Sequence, residues 1–152
     1  MNPQNSLSLI FDLAIRKEEA ANQFYAALAQ RVKNRAVQEI FIELAKEELN
    51  HKTLLTSLQA APLIQTKFAR VPDYHIAESE AQPVVTPDMP LRDAVALAMK
   101  NEQQAAQLYH VMAQATTETD VRELFENLMN MELGHKNRLE TLFVDIGYPE
   151  VF

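Results

Sequence analysis

Residues 37–55, VQEIFIELAKEELNHKTLL, combine a helical pattern of apolar residues with a Glu-x-x-His motif at Glu48 and His51. The apolar residues recur at helical spacings, at Val37, Phe41, Leu44 and Leu55. This spacing is typical of a helix that buries one face, and the glutamate and the histidine occupy that same face. One such motif is weak evidence of a site, because glutamate and histidine three residues apart are common on solvated helices.

The motif returns 84 residues later as Glu132 and His135, within VRELFENLMNMELGHKNRL at 121–139. When residues 7–58 are aligned with 91–142 without a gap, 19 of the 52 pairs are identical. The pattern in each copy predicts two helices separated by a short break. The sequence therefore predicts an all-α protein built from two duplicated helix hairpins, residues 6–59 and 90–146.

The segment between the hairpins, residues 60–89, has a different composition. It contains four prolines and no sustained periodicity. A connection of this length suits an antiparallel four-helix bundle with one long crossover, as in ferritin-like folds. We therefore predict a single ferritin-like domain over residues 1–152, and note that such a crossover would also allow hairpins to exchange between subunits.

Composition and charge exclude several classes of protein. The absence of cysteine excludes disulfides, thiol catalysis and cysteine-ligated iron within these 152 residues. The net charge is −7 and the basic residues are not clustered, which argues against nucleic acid and anionic membranes as partners. No apolar run approaches the roughly 20 residues that span a bilayer, and the N-terminus lacks a signal-peptide pattern. We expect a cytoplasmic protein.

Six titratable residues occupy positions where the helical pattern calls for an apolar side chain. They are Glu18, Glu48, His51, Glu102, Glu132 and His135. Burying four uncompensated carboxylates would be prohibitive, whereas two divalent cations would neutralise them. One Glu from each of two helices plus Glu-x-x-His from each of the other two is the pattern of carboxylate-bridged dimetal bundles. We predict that all six residues are metal ligands.

The positions of these residues along the helices support their convergence. The midpoint between Glu18 and Glu48 is residue 33, at the predicted turn of the first hairpin. The midpoint between Glu102 and Glu132 is residue 117, at the predicted turn of the second. Residues equidistant from the turn of an antiparallel hairpin lie level, so the six side chains are expected at one height.

Neighbouring positions receive less specific interpretations. Tyr25 and Tyr109 follow the first glutamate of each hairpin by two turns, either as core aromatics or as hydrogen-bond partners that orient ligating carboxylates. Glu47 aligns with Met131 in the repeat, so its carboxylate is interpreted as solvated and the methionine as core filler. Thr117 is predicted to cap the last helix and Asn34 the second.

Two pairs of stretches resemble a known family. RKEEAANQFY at 16–25 and KNEQQAAQLY at 100–109 are each followed, about 30 residues on, by EELNHK or MELGHK. In this the chain resembles the diiron domain of the rubrerythrin family, within the ferritin-like superfamily. The resemblance implies a centre of two iron ions that reduces hydrogen peroxide or dioxygen while the irons cycle between ferrous and ferric states. Manganese remains an open alternative.

The resemblance also implies roles for the six residues, as three pairs. They are the terminal carboxylates Glu18 and Glu102, the bridging carboxylates Glu48 and Glu132, and the histidines His51 and His135, one for each metal. Rubrerythrins typically have a further glutamate where this chain has Ala105, so the symmetric set is closer to the ferroxidase site of bacterioferritin. Leu49 stands where bacterioferritin has its haem-binding methionine, so no haem is expected.

The absence of a cysteine-rich rubredoxin domain implies a separate electron donor, either rubredoxin-like or a reductase. The expected assembly is a homodimer. Three alternatives stay open: a ferritin-like ferroxidase that stores iron, a manganese catalase-like enzyme, and a bundle that binds metal only for stability.

Overall fold

The computed structural model describes residues 3–69 and 88–146, which are almost entirely helical. Four long helices follow in chain order, α1 at Pro3–Arg31, α2 at Arg35–Ala60, α3 at Leu91–Gln114 and α4 at Thr119–Asp145. A short 3-10 helix, Ile64–Lys67, follows α2, and the two described ranges contain no strand. The predicted all-α class is confirmed, whereas most of the predicted crossover, residues 70–87, lies outside the described residues.

The helices pack as two hairpins, α1 with α2 and α3 with α4. An amino-end cluster joins the start of α1 to the end of α2, the end of α3 and the start of α4. Its buried residues include Leu7, Leu55, Met112 and Val121. A turn-end cluster at the opposite end of the bundle includes Leu28, Val37, Val95 and Leu142. Helices α1 and α4 therefore run in one direction, and α2 and α3 run in the other.

This arrangement requires a long connection between the hairpins. Helix α2 ends at the amino-end cluster, whereas α3 begins at the turn-end cluster. The 24 residues of α3 span roughly 36 Å at 1.5 Å per residue, so the end of α2 and the start of α3 are separated by about the length of that helix. This is the topology of a four-helix bundle with a single long crossover.

The beginning of the crossover is fixed against the amino-end cluster. The ring of Phe68 contacts the rings of Phe11 and Phe125, with centroids 6.4 and 6.1 Å away. The amide of Ala69 donates to the carbonyl of Ala115 at 2.8 Å, in the turn between α3 and α4. This contact ties the first hairpin to the second at one end of the bundle.

The two hairpin turns begin their second helices differently. The side chain of Asn34 accepts a hydrogen bond from the amide of Val37 at 3.1 Å, so the predicted cap of α2 is confirmed. The predicted cap of α4 is wrong, because Glu118 precedes that helix and its side chain makes no capping hydrogen bond. The neighbouring Thr116 hydroxyl accepts from the Glu118 amide and donates to the carbonyl of Lys67.

Candidate metal centre

A polar layer lies at mid-height between the two apolar clusters. It consists of the six predicted ligands, each 3% exposed or less: Glu18, Glu48, His51, Glu102, Glu132 and His135. Each helix of a hairpin contributes to this layer, since the first helix supplies one glutamate and the second supplies the Glu-x-x-His pair. The structure therefore brings together all six residues, buried among helices that are otherwise packed with apolar side chains.

The six side chains form two overlapping groups of possible metal ligands. The first, here called the His51 position, contains Glu18, Glu48, His51 and Glu132. The second, the His135 position, contains Glu48, Glu102, Glu132 and His135. Within each group, one donor atom per residue lies within 4.8 Å of all the others. Glu48 and Glu132 belong to both groups, as residues that bridge two ions would.

The distances at the His51 position suit donors around one ion. The Nδ1 atom of His51 lies 2.7 Å from Glu132 Oε1, 3.5 Å from Glu18 Oε2 and 3.6 Å from Glu48 Oε1. Around an octahedral ion with ligands at about 2.1 Å, adjacent donor atoms are about 3 Å apart. The separations at this position therefore approach those of a coordination shell.

The His135 position repeats this geometry with the hairpins exchanged. The Nδ1 atom of His135 lies 2.9 Å from Glu48 Oε1, 3.6 Å from Glu102 Oε2 and 4.0 Å from Glu132 Oε1. The Nδ1 atom of each histidine is thus nearest to the shared glutamate of the opposite hairpin. The site is assembled only when both hairpins are packed together.

The inward-facing atoms of the layer lack hydrogen-bond partners among the described residues. Seven buried atoms are in this state: Glu18 Oε2, Glu48 Oε1, His51 Nδ1, Glu102 Oε2, both carboxylate oxygens of Glu132, and His135 Nδ1. A buried polar atom without a partner costs about 1–3 kcal/mol, and more when it is charged. Divalent cations would accept these lone pairs, so the residues fit a pair of metal ions.

The electrostatics show the cost of this layer without a cation. Burial, followed by the charges of Glu102 and Glu18, raises the pKa of Glu48 well above its usual value. Burial and then Glu102 do the same to the pKa of Glu132. Burial opposes the charged form of His135, but the adjacent carboxylates of Glu102 and Glu48 outweigh it and raise its pKa to about 11. The metal-free layer therefore retains protons that cations would displace.

Both predicted tyrosines donate hydrogen bonds to the layer, and each crosses to the opposite hairpin. The hydroxyl of Tyr25 donates to Glu102 Oε1 at 2.6 Å, and that of Tyr109 donates to Glu18 Oε1. Burial, followed by the nearby carboxylates, raises the pKa of each tyrosine, so both keep the proton they donate. In each glutamate the other oxygen, Oε2, remains without a hydrogen-bond partner.

The outer nitrogens of the two histidines have unlike partners. Glu47 Oε2 lies in hydrogen-bond contact with His135 Nε2, whereas Met131 Sδ lies 3.4 Å from His51 Nε2. The interpretation of Glu47 as solvated was wrong, as was that of Met131 as core filler. The repeat comparison set this pair aside because the two residues differ. The spacing in α2 indicated only that Glu47, one helical turn before His51, faces the same side of that helix. It did not indicate the contact with His135 on α4.

Two other glutamates that recur in the repeat, and one further histidine, lie outside the layer. Glu39 and Glu123 recur in the repeat, and both are exposed. His110 is exposed, and His75 lies outside the described residues. Across residues 3–69 and 88–146, no helix carries an apolar stretch sufficient to traverse a bilayer.

Comparisons with known proteins agree with this geometry. A protein from Pyrococcus furiosus described as hypothetical is 28% identical, with a TM-score of 0.73 over 90% of this chain and 87% of its own. A Thermotoga maritima protein described as a candidate ferritin-like diiron-carboxylate protein is 19% identical. Its TM-score is 0.70 over 90% of this chain and 93% of its own, which supports the ferritin-like bundle. A search of curated proteins gave no match.

The family comparison covers both hairpins and the crossover. The family model described as Rubrerythrin matches residues 10–143, a range that includes all six residues of the polar layer. The chain therefore belongs to the rubrerythrin family.

Proposed function

We propose that this protein is a non-haem diiron oxidoreductase that reduces hydrogen peroxide or dioxygen. The observation that carries the proposal is the polar layer, in which four carboxylates and two imidazoles form two groups sharing Glu48 and Glu132. Their inward atoms have no hydrogen-bond partner within the described ranges. Mixed carboxylate and imidazole ligands suit iron or manganese, and the family favours iron.

The assignment of residues follows the two groups. Glu48 and Glu132 would bridge the ions, with Glu18 and His51 completing one position and Glu102 and His135 the other. When bound, the two irons would supply one electron each, which matches the two electrons and two protons that convert hydrogen peroxide into two water molecules.

The protein's own contribution is a buried and preorganised layer of ligands. The tyrosine hydroxyls occupy Oε1 of Glu18 and of Glu102, which leaves Oε2 of each carboxylate for one ion. Burial of the layer excludes bulk water and strengthens every electrostatic interaction within it. Burial and the neighbouring carboxylates raise the pKa values of Glu48 and Glu132, so the layer also favours the protonated form of a carboxyl group.

The electrons are proposed to come from a separate donor, either rubredoxin-like or a reductase. With no cysteine in the chain, these residues offer no thiolate-ligated iron centre of their own. The assembly is proposed to be a homodimer in the cytoplasm.

Rapid mixing tests the proposal. The protein is loaded anaerobically with ferrous iron and mixed with hydrogen peroxide, and we expect a fast absorbance change from oxidation of the metal site. A peroxidase assay with an added reductant then tests for turnover, since oxidation alone is a single event. Glu48→Ala is the control for iron bound elsewhere. A ferrous protein that peroxide leaves unchanged would contradict the proposed function.

A ferritin-like ferroxidase that stores iron is the second candidate. The observation that favours it is the symmetry of the ligand set, because Ala105 and Ala21 occupy equivalent places and neither adds a seventh ligand. Storage requires a hollow shell of many subunits, so the mass of the native assembly separates the two candidates. A dimer would contradict storage. Elemental analysis of protein from its native host tests the manganese catalase-like alternative.

A further inference from the structure

The two proposed metal positions match in their inner ligands but differ behind their histidines. Each position has one terminal glutamate held by a tyrosine, and both share Glu48 and Glu132. Behind His135 lies the carboxylate of Glu47, whereas behind His51 lies the thioether of Met131. The unlike pair is therefore the clearest difference between two otherwise equivalent environments.

The effect of each partner depends on which nitrogen of the imidazole carries the proton. In both histidines Nδ1 faces the shared carboxylates, and Nε2 faces outward. A neutral imidazole that binds a metal through Nδ1 carries its proton on Nε2, which then donates outward. Glu47 offers that N–H a charged acceptor, and Met131 offers it only a weak one.

A carboxylate acceptor changes the metal ligand itself. It fixes the tautomer and the orientation of the ring and makes Nδ1 more basic, and loss of such a partner typically costs 10–100-fold in metal affinity. The Glu47 side chain is 29% exposed, so water screens this hydrogen bond only in part. Met131 is 41% exposed and gives His51 no comparable support.

We infer that the two positions bind metal with unequal affinity, the His135 position first and the His51 position second. Glu47 is the positioning residue that creates the difference, which we expect to be about 10–100-fold. The inference rests on the proposed dinuclear centre and adds an order of loading to it. One ion would be held firmly, and the other would exchange more readily.

Zinc titration of the metal-free, full-length protein provides the test, because Zn²⁺ is diamagnetic and free of redox chemistry. With ¹⁵N-labelled histidine, we expect the ring resonances of His135 to shift with the first equivalent of zinc and those of His51 with the second. Competition with a chromophoric chelator should give two dissociation constants about 10–100-fold apart.

Three substitutions test whether Glu47 is the cause. Glu47→Met should raise the dissociation constant of the first zinc ion until the two constants are alike. Glu47→Gln, which keeps an acceptor without its charge, should give a first constant between those of the wild type and Glu47→Met. Met131→Glu should lower the dissociation constant of the second zinc ion. Glu43→Gln is the matched control, one helical turn before Glu47 on α2, because its carboxylate contacts Arg138 at the surface.

Each outcome is decisive. The inference is overturned if both histidines shift together in the wild-type protein, or if Glu47→Met behaves like Glu43→Gln. Binding of no zinc at all would overturn the inference and the dinuclear centre together. Unequal zinc affinities in a protein whose ferrous form ignores peroxide would support the inference and contradict only the proposed reaction.

Discussion

The two hairpins are alike where they face each other and unlike around that interface. Each places a tyrosine against a phenylalanine, and the ring centroids are 6.2 Å apart in both Tyr25–Phe41 and Tyr109–Phe125. Around this shared interior, Asn34 caps α2 while α4 has no side-chain cap. Two similar ions need similar donors from both hairpins, whereas the surrounding contacts are free to differ. The following changes test how far the likeness extends.

The bridging glutamates should be equivalent, and losing either should have the largest effect. Glu48→Ala and Glu132→Ala each remove a ligand from both positions at once, so we expect neither variant to bind two ions per chain. Metal content after anaerobic loading and desalting measures this.

The matched controls for these variants are Glu39→Ala and Glu123→Ala, because both glutamates also recur in the repeat yet are exposed. They should keep full metal content. Full occupancy in either bridging variant would show that the assignment of bridging residues is wrong.

Removing the metals should make stability fall as pH rises. Because their pKa values are raised, folded Glu48 and Glu132 keep protons that the unfolded chain releases above its carboxyl pKa. Folded His135 likewise keeps its proton up to a pKa of about 11, whereas the unfolded chain releases it above the usual histidine pKa. Each proton retained only by the folded state lowers the free energy of unfolding by about 1.4 kcal/mol per pH unit.

Thermal unfolding between about pH 5 and pH 9, with chelator and with metal, measures this slope. The pKa of Glu102 is lowered, so this residue makes stability depend on pH only below the usual carboxyl pKa, outside this window. Metal-loaded protein should show the opposite trend, because cations compete with protons for the same atoms. A metal-free protein that gains stability across the window would contradict the electrostatics of the layer.

The two tyrosines should be interchangeable in their effect. Tyr25→Phe and Tyr109→Phe leave the rings in place but remove the hydrogen bond to Glu102 Oε1 or Glu18 Oε1. The buried oxygen left without a donor should lower the free energy of unfolding by about 1–3 kcal/mol. Metal affinity should fall about 10-fold or more in both, as for other residues that orient ligands. Chemical denaturation and zinc competition measure the two effects. Unchanged affinity in both variants would reduce the tyrosines to core aromatics.

The smallest effect concerns Gly134, which stands where the first hairpin has Asn50. A Cβ at Gly134 would meet nothing within 4 Å, so alanine fits without strain. Gly134→Ala should stabilise α4 by about 0.5–1 kcal/mol and leave metal content unchanged. Denaturation measures the gain, with Asn50→Ala as a control expected to gain less. Destabilisation would indicate that the space beside Gly134 is needed.

Local patterns were sufficient to predict the fold and the residues of the polar layer. The spacing of apolar residues depends on one helix at a time, and Glu48 and Glu132 stood out as carboxylates on a face that must be buried. The pairing of Tyr25 with Glu102 depends on how one hairpin packs against the other. The sequence therefore could not predict which glutamate each tyrosine contacts. A hydrogen bond from each tyrosine to a ligating carboxylate was one of the two interpretations it allowed.

Two of the three wrong interpretations, those of Glu47 and of the α4 cap, have the same physical origin. Glu47 reaches His135 across the interface between α2 and α4, a contact that no spacing within α2 contains. Just before α4, the Thr116 hydroxyl donates a hydrogen bond to the carbonyl of Lys67, which belongs to a distant segment. Both contacts arise from tertiary packing between segments far apart in the chain, which a repeat comparison does not encode.

The position of the polar layer between two apolar clusters has a consequence for local opening. Helical bundles ordinarily loosen at their ends, where fewer neighbours hold each turn. Here the ends are the well-packed sections, and local frustration is concentrated at mid-height around Glu48 and Glu132. Without metal, amide hydrogen exchange should therefore be least protected in the centre of α2 and α4. Bound cations would link all four helices at this height, so the least stable section of the bundle would become its most rigid one.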